Sequence, residues 1–299
     1  TGYDGRPLRI MEVCGTHTHE IFRLGLRKLL PEQVELISGP GCPVCVTPVG
    51  FIDEAILLAE QYGVTVCTFG DLVRVPGTER SLAGARANGA KVQVVYAPMD
   101  AVEYAKNHPE EQVCFLSVGF ETTTPASCLA VELAKAQGLT NFSMASQALR
   151  GSADVFLYPG HVNAITGTRL CEELVGEGVS GVVAGFTASE LLTALAAALQ
   201  KSKEGKPFFV NAYPRVVTRE GSVKAQRLVE KLMEPCDAQW RGLGNIPGSG
   251  MQLRPEYAEF DARKKFDLPK IEGRGNPAGR CGAVLQGKCK STDSPRCGK

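Results

Sequence analysis

The strongest constraint on the fold of this chain is an alternation of short apolar runs with amphipathic runs, which extends from residue 8 to about residue 234. This βαβ rhythm is typical of α/β proteins, and continuous apolar runs are typical of buried parallel strands. The pattern predicts strands at residues 8–13, 34–37, 64–69, 92–96, 113–118, 142–145, 155–157, 182–184 and 208–210. It predicts helices at residues 20–30, 52–61, 101–107, 126–136, 188–201 and 223–233.

Nine strands are too many for one small sheet, so we predict two α/β domains with mostly parallel sheets around a cleft. The first domain spans residues 1–110 and the second spans residues 111–235. A short echo of residues 118–123 in residues 184–187 indicates two similar halves of the second sheet. The remaining segment, 236–299, is rich in Gly, Pro, Arg and Lys and is too small to form its own core. It is therefore expected to dock on the body or to be held by a metal.

Composition narrows the class of function. The net charge of +1 and the 22% of charged residues argue against a nucleic-acid or membrane-surface partner, which usually selects a basic excess. No apolar run reaches the roughly 20 residues that span a bilayer, and no secretory signal is visible. We therefore expect a cytoplasmic protein, monomeric by default and joined to partners transiently. In that compartment eleven cysteines indicate metal binding, redox chemistry or core packing rather than disulfides.

A Cys-x-x-Cys motif, formed by Cys42 and Cys45, follows the predicted strand 34–37 in a loop that contains Gly39 and Gly41. Loops at the carboxyl ends of parallel strands are where α/β sheets bind ligands. Two thiols at this spacing can close a disulfide or bind one metal ion. The alternative is a pair of ordinary buried cysteines.

A second cluster follows the first predicted strand and contains Cys14, His17 and His19. On an extended loop the two histidines would point to one side and, with the thiol, would suit iron, zinc or copper. A Cys-His pair for nucleophilic catalysis is a second possibility. The structural alternative makes Thr18 the N-cap of a helix that begins at His19.

Other polar residues next to strands have less specific signals. They are read either as groups in the cleft or as local caps and turns: Asp71, Asp100, Glu121, Thr122, Thr123 and His161. Four further cysteines fall within predicted strands or helices and are expected to be buried: Cys67, Cys114, Cys128 and Cys171. No phosphate-binding glycine loop precedes a helix, so we predict no nucleotide site.

Several of these motifs together resemble a known family. The run from residue 11 to residue 48, MEVCGTHTHEIFRLGLRKLLPEQVELISGPGCPVCVTP, is similar to the HypD family of hydrogenase maturation (formation) proteins. Further stretches agree in the same order: CTFGD at 67–71, RVPG at 74–77, YAPMD at 96–100, GFETT at 119–123, PGHV at 159–162 and WRGLG at 240–244. The resemblance covers nearly the whole chain.

The resemblance implies an assembly scaffold rather than a conventional turnover enzyme. On it the Fe(CN)2CO group of [NiFe]-hydrogenases would be assembled. Iron would lie between Cys14 and a cysteine of a small maturation chaperone, and a second maturation protein would supply cyanide. Cys42 and Cys45 would be further iron ligands or a redox dithiol, which suits thiolate chemistry. His17 and His19 would not bind the iron themselves but would orient or protonate the groups bound to it.

The same resemblance implies a [4Fe-4S] cluster bound by four cysteines near the C-terminus. Cys281 lies at the start of that motif, but Ser294 stands where the family has its next cysteine. Cys281, Cys289 and Cys297 are equally spaced, and three thiols are one short of a four-cysteine site. Segment 236–299 therefore resembles a truncated Fe-S domain.

A function of a different class stays open at this point. The chain would then be a thiol-disulfide oxidoreductase that uses Cys42 and Cys45, with a structural metal in the tail. This hypothesis predicts disulfide reductase activity without partners and tolerance of Cys14→Ala. The scaffold hypothesis predicts loss of function from Cys14→Ala, iron in the anaerobically isolated complex and partner binding near residues 12–48.

Overall fold

The computed structural model describes residues 3–149, 155–275, 280–286 and 288–289. Its parallel sheets with flanking helices confirm the predicted α/β class. The described residues form two compact units. The first unit lies within residues 1–42, 151–226 and 280–299, and the second within 43–150 and 227–279.

The strands occur where apolar, β-branched runs predict them, with two additions near the C-terminus. They are β1 (Leu8–Glu12), β2 (Val34–Ser38), β3 (Thr65–Thr68), β4 (Val92–Val94), β5 (Val113–Gly119), β6 (Phe142–Leu149), β7 (Val155–Pro159), β8 (Ser180–Ala184), β9 (Phe209–Asn211), β10 (Met233–Trp240) and β11 (Gly244–Leu253). All nine predicted strands are confirmed.

Helices fill most connections between the strands. They are α1 (Gly15–Arg23), α2 (Pro43–Val46), α3 (Val49–Glu60), α4 (Leu82–Ala87), α5 (Pro98–Asn107), α6 (Thr124–Ala136), α7 (Gly160–Thr166), α8 (Arg169–Gly176), α9 (Ala188–Ser202), α10 (Val223–Leu232), α11 (Ala262–Lys265) and α12 (Cys281–Leu285). Short 3-10 segments cover Leu26–Leu29, Leu72–Arg74 and Pro255–Phe260. None of the helices in the described ranges combines the length and the apolar character needed to cross a bilayer.

The first unit contains a five-stranded sheet in the order β2-β1-β7-β8-β9, with every pair parallel. Along the chain of this unit the strand order reads 2-1-3-4-5, a doubly wound arrangement whose switch point lies between β1 and β7. Ile10, Ile21, Leu157 and Leu195 are almost completely buried where α1 and α9 cover the sheet. This core fixes the carboxyl ends of β1, β7 and β8 at one edge.

The second unit contains a six-stranded sheet in the order β10-β11-β6-β5-β3-β4. Strands β3 to β6 are parallel, and the hairpin of β10 and β11 adds antiparallel strands beside β6. The sequence pattern does not predict this hairpin, because Gly244, Pro247, Gly248 and Gly250 break the alternation of β11. The start of segment 236–299 thus docks on a sheet, which is one of the two alternatives predicted for this segment.

The compact units differ from the domains predicted by a cut near residue 110. That residue lies between α5 and β5, which both belong to the second unit. The chain leaves the first unit after β2 and returns to it at β7. The echo between residues 118–123 and 184–187 also does not mark two halves of one sheet, because β5 and β8 lie in different sheets.

In the second unit, a segment that follows α11 passes closely over the first turn of α3. A Cβ at Gly50 would lie 2.2 Å from the carbonyl oxygen of Ile271 and 3.0 Å from the amide nitrogen of Gly273. Both contacts involve backbone atoms, which do not move as easily as side-chain ends. Gly50 therefore permits the close approach of two chain segments.

We expect Gly50→Ala to lower the free energy of unfolding by about 1–3 kcal/mol, because the added methyl group displaces this backbone. The loss should appear even though alanine favours a helix over glycine by about 1 kcal/mol. The matched control is Gly176→Ala in α8, where a Cβ meets nothing within 4 Å. Urea unfolding should show the control to be neutral or stabilising, and equal stability of both variants would contradict the close approach.

Candidate functional site

The candidate site lies at the carboxyl ends of β1, β7 and β8 in the first unit. Cys14 follows β1 as the N-cap residue of α1, with extended φ and ψ angles of −151° and 126°. His161 lies in the first turn of α7, directly after β7, and Phe186 follows β8. Doubly wound sheets bind ligands at this edge, beside the switch point. The fold thus places the predicted Cys-His cluster at the position that suits a binding site.

The loop that carries Cys42 packs directly on Cys14. The amide of Gly15 donates to the carbonyl oxygen of Gly41 at 3.1 Å. A Cβ at Gly41 would lie 2.4 Å from both the Cα and the nitrogen of Cys14, so a larger residue does not fit. Cys14 is 4% exposed and Cys42 is half-buried. The structure therefore brings the backbone of Cys14 to the residue that precedes Cys42.

A fully buried carboxylate, Glu12, anchors this corner of the first unit. It accepts hydrogen bonds from Arg27 Nη2 at 2.9 Å and from Ser38 Oγ at 3.3 Å. Thr18 Oγ1 donates to its second oxygen. These partners come from the 3-10 segment, from β2 and from α1. One carboxylate thereby fixes where β1 ends and where α1 begins.

The two histidines near Cys14 point to different environments. His17 is completely buried, whereas the side chain of His19 is 72% exposed and lies 3.9 Å from Glu20. Residues two apart in a helix are rotated by about 200°, so the predicted arrangement on one side of an extended loop is wrong. The helix begins at Gly15, so Thr18 is not its N-cap.

His17 has one satisfied and one unsatisfied ring nitrogen. Its Nε2 lies 2.9 Å from the carbonyl oxygen of Gly185, which accepts only, so Nε2 carries the hydrogen. Nδ1 is buried and has no hydrogen-bond partner among the described residues. The centroid of the His17 ring lies 4.6 Å from that of Phe186, and the centroid of the His161 ring lies 5.0 Å from that of Phe186. A lone pair on Nδ1 is thus available to a proton or a metal.

Burial sets the charge of these histidines. Burial, with a smaller contribution from the neighbouring His161, lowers the pKa of His17 to about 4. Burial also lowers the pKa of His161. At neutral pH His17 is therefore a neutral imidazole, the form that binds a metal or accepts a proton.

The carbonyl that faces His17 belongs to a turn held by Glu190. This carboxylate accepts the backbone N–H groups of Phe186 and Thr187, at 2.9 and 3.1 Å, and binds Arg215 Nε at 3.1 Å. Its hydrogen bonds, chiefly that from Arg215, lower the pKa of Glu190 to about 2. Glu190 is not among the site residues predicted from the sequence, although Thr187 and Glu190 have the spacing of a capping box.

The Cys-x-x-Cys motif crosses from one unit to the other. The first unit ends at Cys42, and the second begins at Pro43. Cys45 is exposed in the four-residue helix α2, so the motif runs directly into a helix that the sequence analysis did not predict. Thr47 Oγ1 donates to the carbonyl oxygen of Pro43 at 2.8 Å and holds this turn.

Two of the less specific candidates, Asp100 and Thr123, have local structural contacts. The carboxylate of Asp100 accepts the N–H groups of Tyr96 and Ala97, both at 2.9 Å, as a helix cap does. Thr123 precedes α6 but does not cap it through its side chain, because its hydroxyl donates to the carbonyl oxygen of Phe120.

The prediction that four further cysteines are buried is confirmed. All are less than 9% exposed: Cys67, Cys114, Cys128 and Cys171. Burial raises the pKa of the thiols of Cys67, Cys114 and Cys128 to about 12. These thiols are protonated at neutral pH and contribute to packing rather than to metal or redox chemistry.

The described residues do not assemble a four-thiolate cluster site. Cys281 begins α12, Cys289 is half-buried, and Cys297 and Ser294 lie outside the described residues. Cys236 lies on β10 of the second unit. Within the described ranges no group of three or more His, Cys, Asp or Glu side chains is arranged to hold a metal. The cluster ligands remain a prediction from the resemblance.

The fold and the site together define a doubly wound α/β protein with a cysteine-histidine site at a sheet switch point. The HypD family model, described as the hydrogenase formation hypA family, matches residues 2–299. This chain therefore belongs to the HypD family, as its motifs predicted.

Relatives named hydrogenase maturation factor HypD agree with this assignment. The chain is 42% identical to the Escherichia coli (strain K12) protein, over 97% of this chain and 82% of that protein. It is 41% identical to the Azotobacter vinelandii protein, over 94% and 80%. It is also 41% identical to the Rhizobium leguminosarum bv. viciae protein, over 96% and 80%.

The neutral, buried state of His17 predicts a pH dependence of stability. Its pKa is about 4 in the folded protein and about 6.5 in the unfolded chain, so between these values the unfolded state binds the extra proton. The free energy of unfolding should fall as the pH drops from 6.5 to 4, by at most about 3 kcal/mol. His17→Gln should reduce this loss in urea unfolding at several pH values. His19→Gln, at an exposed position, should not, and equal slopes in both variants would contradict the assignment.

Proposed function

We propose that this chain is a hydrogenase maturation factor that holds one iron through Cys14 during assembly of the Fe(CN)2CO group. The observation that carries the proposal is the position of Cys14, buried at the sheet switch point in the same corner as the available Nδ1 of His17. Membership of the HypD family and the names of its curated members support the maturation role. The iron is cargo in this function, not a resident cofactor.

The location of Cys14 suits an iron-binding thiolate. It is the residue before the first turn of α1, at the end of the helix where the dipole is positive. Thiolate is also the form of cysteine that binds a metal, and sulfur ligands suit iron in maturation sites. Because Cys14 is buried, the protein restricts water around a group bound there. The contact of Gly41 with Cys14 keeps its backbone from shifting.

His17 supplies a neutral imidazole in this proposal. With its proton fixed on Nε2 by the Gly185 carbonyl, Nδ1 accepts a proton or orients a group bound at Cys14. Cys42 and Cys45 act either as further iron ligands or as a dithiol that gives up two electrons and two protons on forming a disulfide. His19 is on the exposed side of α1, where it is open to a partner protein.

Partners complete the proposed function. A small maturation chaperone contributes a cysteine to the same iron, and a second maturation protein supplies cyanide. Transient complexes of this kind suit a cytoplasmic location, where thiols stay reduced. Disulfide reductase activity without partners would instead support the thiol-disulfide oxidoreductase.

We expect Cys14→Ala to lower the iron content of anaerobically purified chaperone complex at least tenfold, because the thiolate ligand is removed. The matched control is Cys171→Ala, since Cys171 is also buried in the first unit. Elemental analysis together with hydrogenase activity in complemented cells provides the two measurements. Full iron content and full complementation by Cys14→Ala would rule out the proposed site.

The C-terminal cluster is tested by a separate measurement on residues 1–299. We expect iron without acid-labile sulfide, because three cysteines near the C-terminus are one ligand short of a four-thiolate site. Sulfide analysis and Mössbauer spectra of the anaerobic protein distinguish the cases. About four iron and four sulfide per chain would contradict this expectation and would assign a cluster to the tail.

A further inference from the structure

An arginine at the tip of the hairpin formed by β10 and β11 holds the end of the Cys-x-x-Cys turn. The backbone N–H of Arg241 donates to the carbonyl oxygen of Val46 at 2.7 Å. Its side-chain Nε donates to the carbonyl oxygen of Thr47, also at 2.7 Å, and Nη2 reaches that of Pro76 at 3.1 Å. All these residues belong to the second unit. One arginine thus binds three backbone carbonyls around α2.

These contacts matter because α2 is only four residues long and contains Cys45. The last carbonyl groups of a helix have no partner within the helix, and basic side chains commonly bind them. Here Val46 and Thr47 are completely buried, so their carbonyls need protein partners. Thr47 N and Oγ1 also donate to Val44 and Pro43. The turn is therefore tied on both sides of the exposed Cys45.

Neighbouring residues hold the backbone around Arg241 in place. The preceding residue, Trp240, is 4% exposed, and its Nε1 donates to Ser249 Oγ at 2.9 Å. The indole stacks on Phe120 with centroids 6.1 Å apart. Gly242 and Gly244 have φ angles of 81° and 86°, which let the chain reverse tightly after the arginine. The backbone of the hairpin tip is thus held in place independently of α2.

We propose that Arg241 is the positioning residue for Cys45. By binding the carbonyls of Val46 and Thr47 it fixes the backbone on the Cys45 side of the two-thiol motif. The inference rests on the proposed use of Cys42 and Cys45 as a pair. Lysine cannot replace it fully, because the planar guanidinium fork binds two carbonyls and an ammonium group does not match that geometry.

The second unit offers a matched control in Arg254. Its backbone N–H donates to the carbonyl oxygen of Leu232 at 2.9 Å, and its Nε donates to that of Glu230 at 2.8 Å. This is the same pair of donors at the end of another helix, α10. Arg254→Met therefore removes an equivalent cap without touching the cysteine motif.

The test equilibrates the protein of residues 1–299 with reduced and oxidised glutathione and measures the Cys42–Cys45 disulfide by alkylation and peptide mass spectrometry. Arg241→Met should lower the equilibrium constant for disulfide formation about tenfold, or about 30 mV. A turn that is no longer fixed brings the two sulfurs together less often. Arg241→Lys should fall between Arg241→Met and wild type, and Arg254→Met should stay within twofold of wild type. Equal constants for the two methionine variants would overturn the inference.

A second readout keeps the inference testable if the wild-type pair forms no disulfide. The rate of iodoacetamide alkylation at Cys45 should then change at least threefold in Arg241→Met and not in Arg254→Met. Equal rates would overturn the role of Arg241. If Arg241→Met does not fold, the same comparison is made with Arg241→Lys. Failure of the scaffold function is read separately, from iron retention by Cys14→Ala, so the two failures are distinguishable.

Discussion

The buried carboxylate of Glu12 determines the geometry of the cysteine-histidine site. A fully buried charge costs several kcal/mol unless it is paired and hydrogen-bonded, and Arg27, Ser38 and Thr18 provide those partners. Because they come from three elements, satisfying one group also aligns the end of β1, the end of β2 and the first turns of α1. Cys14 lies within that alignment, two residues beyond Glu12. The position of Cys14 therefore depends on the ion pair between Glu12 and Arg27.

The site combines rigid polar anchors with a buried histidine, His17, one of whose ring nitrogens has no hydrogen-bond partner among the described residues. On one side of His17, Glu190 and Arg215 hold the turn whose carbonyl fixes the imidazole hydrogen. On the other side, the lone pair of Nδ1 is buried without a hydrogen bond from the described residues. Native proteins rarely bury such an atom without a use for it. The unsatisfied nitrogen supports the proposal that a further group binds beside His17.

Some of this architecture was readable from the sequence, and some was not. Continuous apolar runs predicted every strand of the two sheets except the antiparallel β10 and β11, because burial on both faces removes polar residues. The β10–β11 hairpin was not predicted because glycines disrupt its pattern of alternation. The boundaries of the units were not predicted because composition does not change where a chain leaves one sheet and later returns to it. The orientations of His17 and His19 depend on the helix that starts at Gly15. The contact of Gly41 with Cys14 depends on tertiary packing. Neither the histidine orientations nor this contact can be predicted from the local spacing of residues.

The interrupted path of the first unit has a consequence for biosynthesis. Strand β1 pairs with β7, and residues 43–150, which lie between them, belong to the second unit. On the ribosome, β1 and β2 emerge early but lack the neighbour that completes the switch point until the inserted segment has been made. Closing so long a loop carries an entropic cost that is recovered only when β7 pairs. The corner that contains Cys14 and His17 is consequently assembled late in synthesis, and a nascent chain exposes Cys14 before the folded first unit buries it.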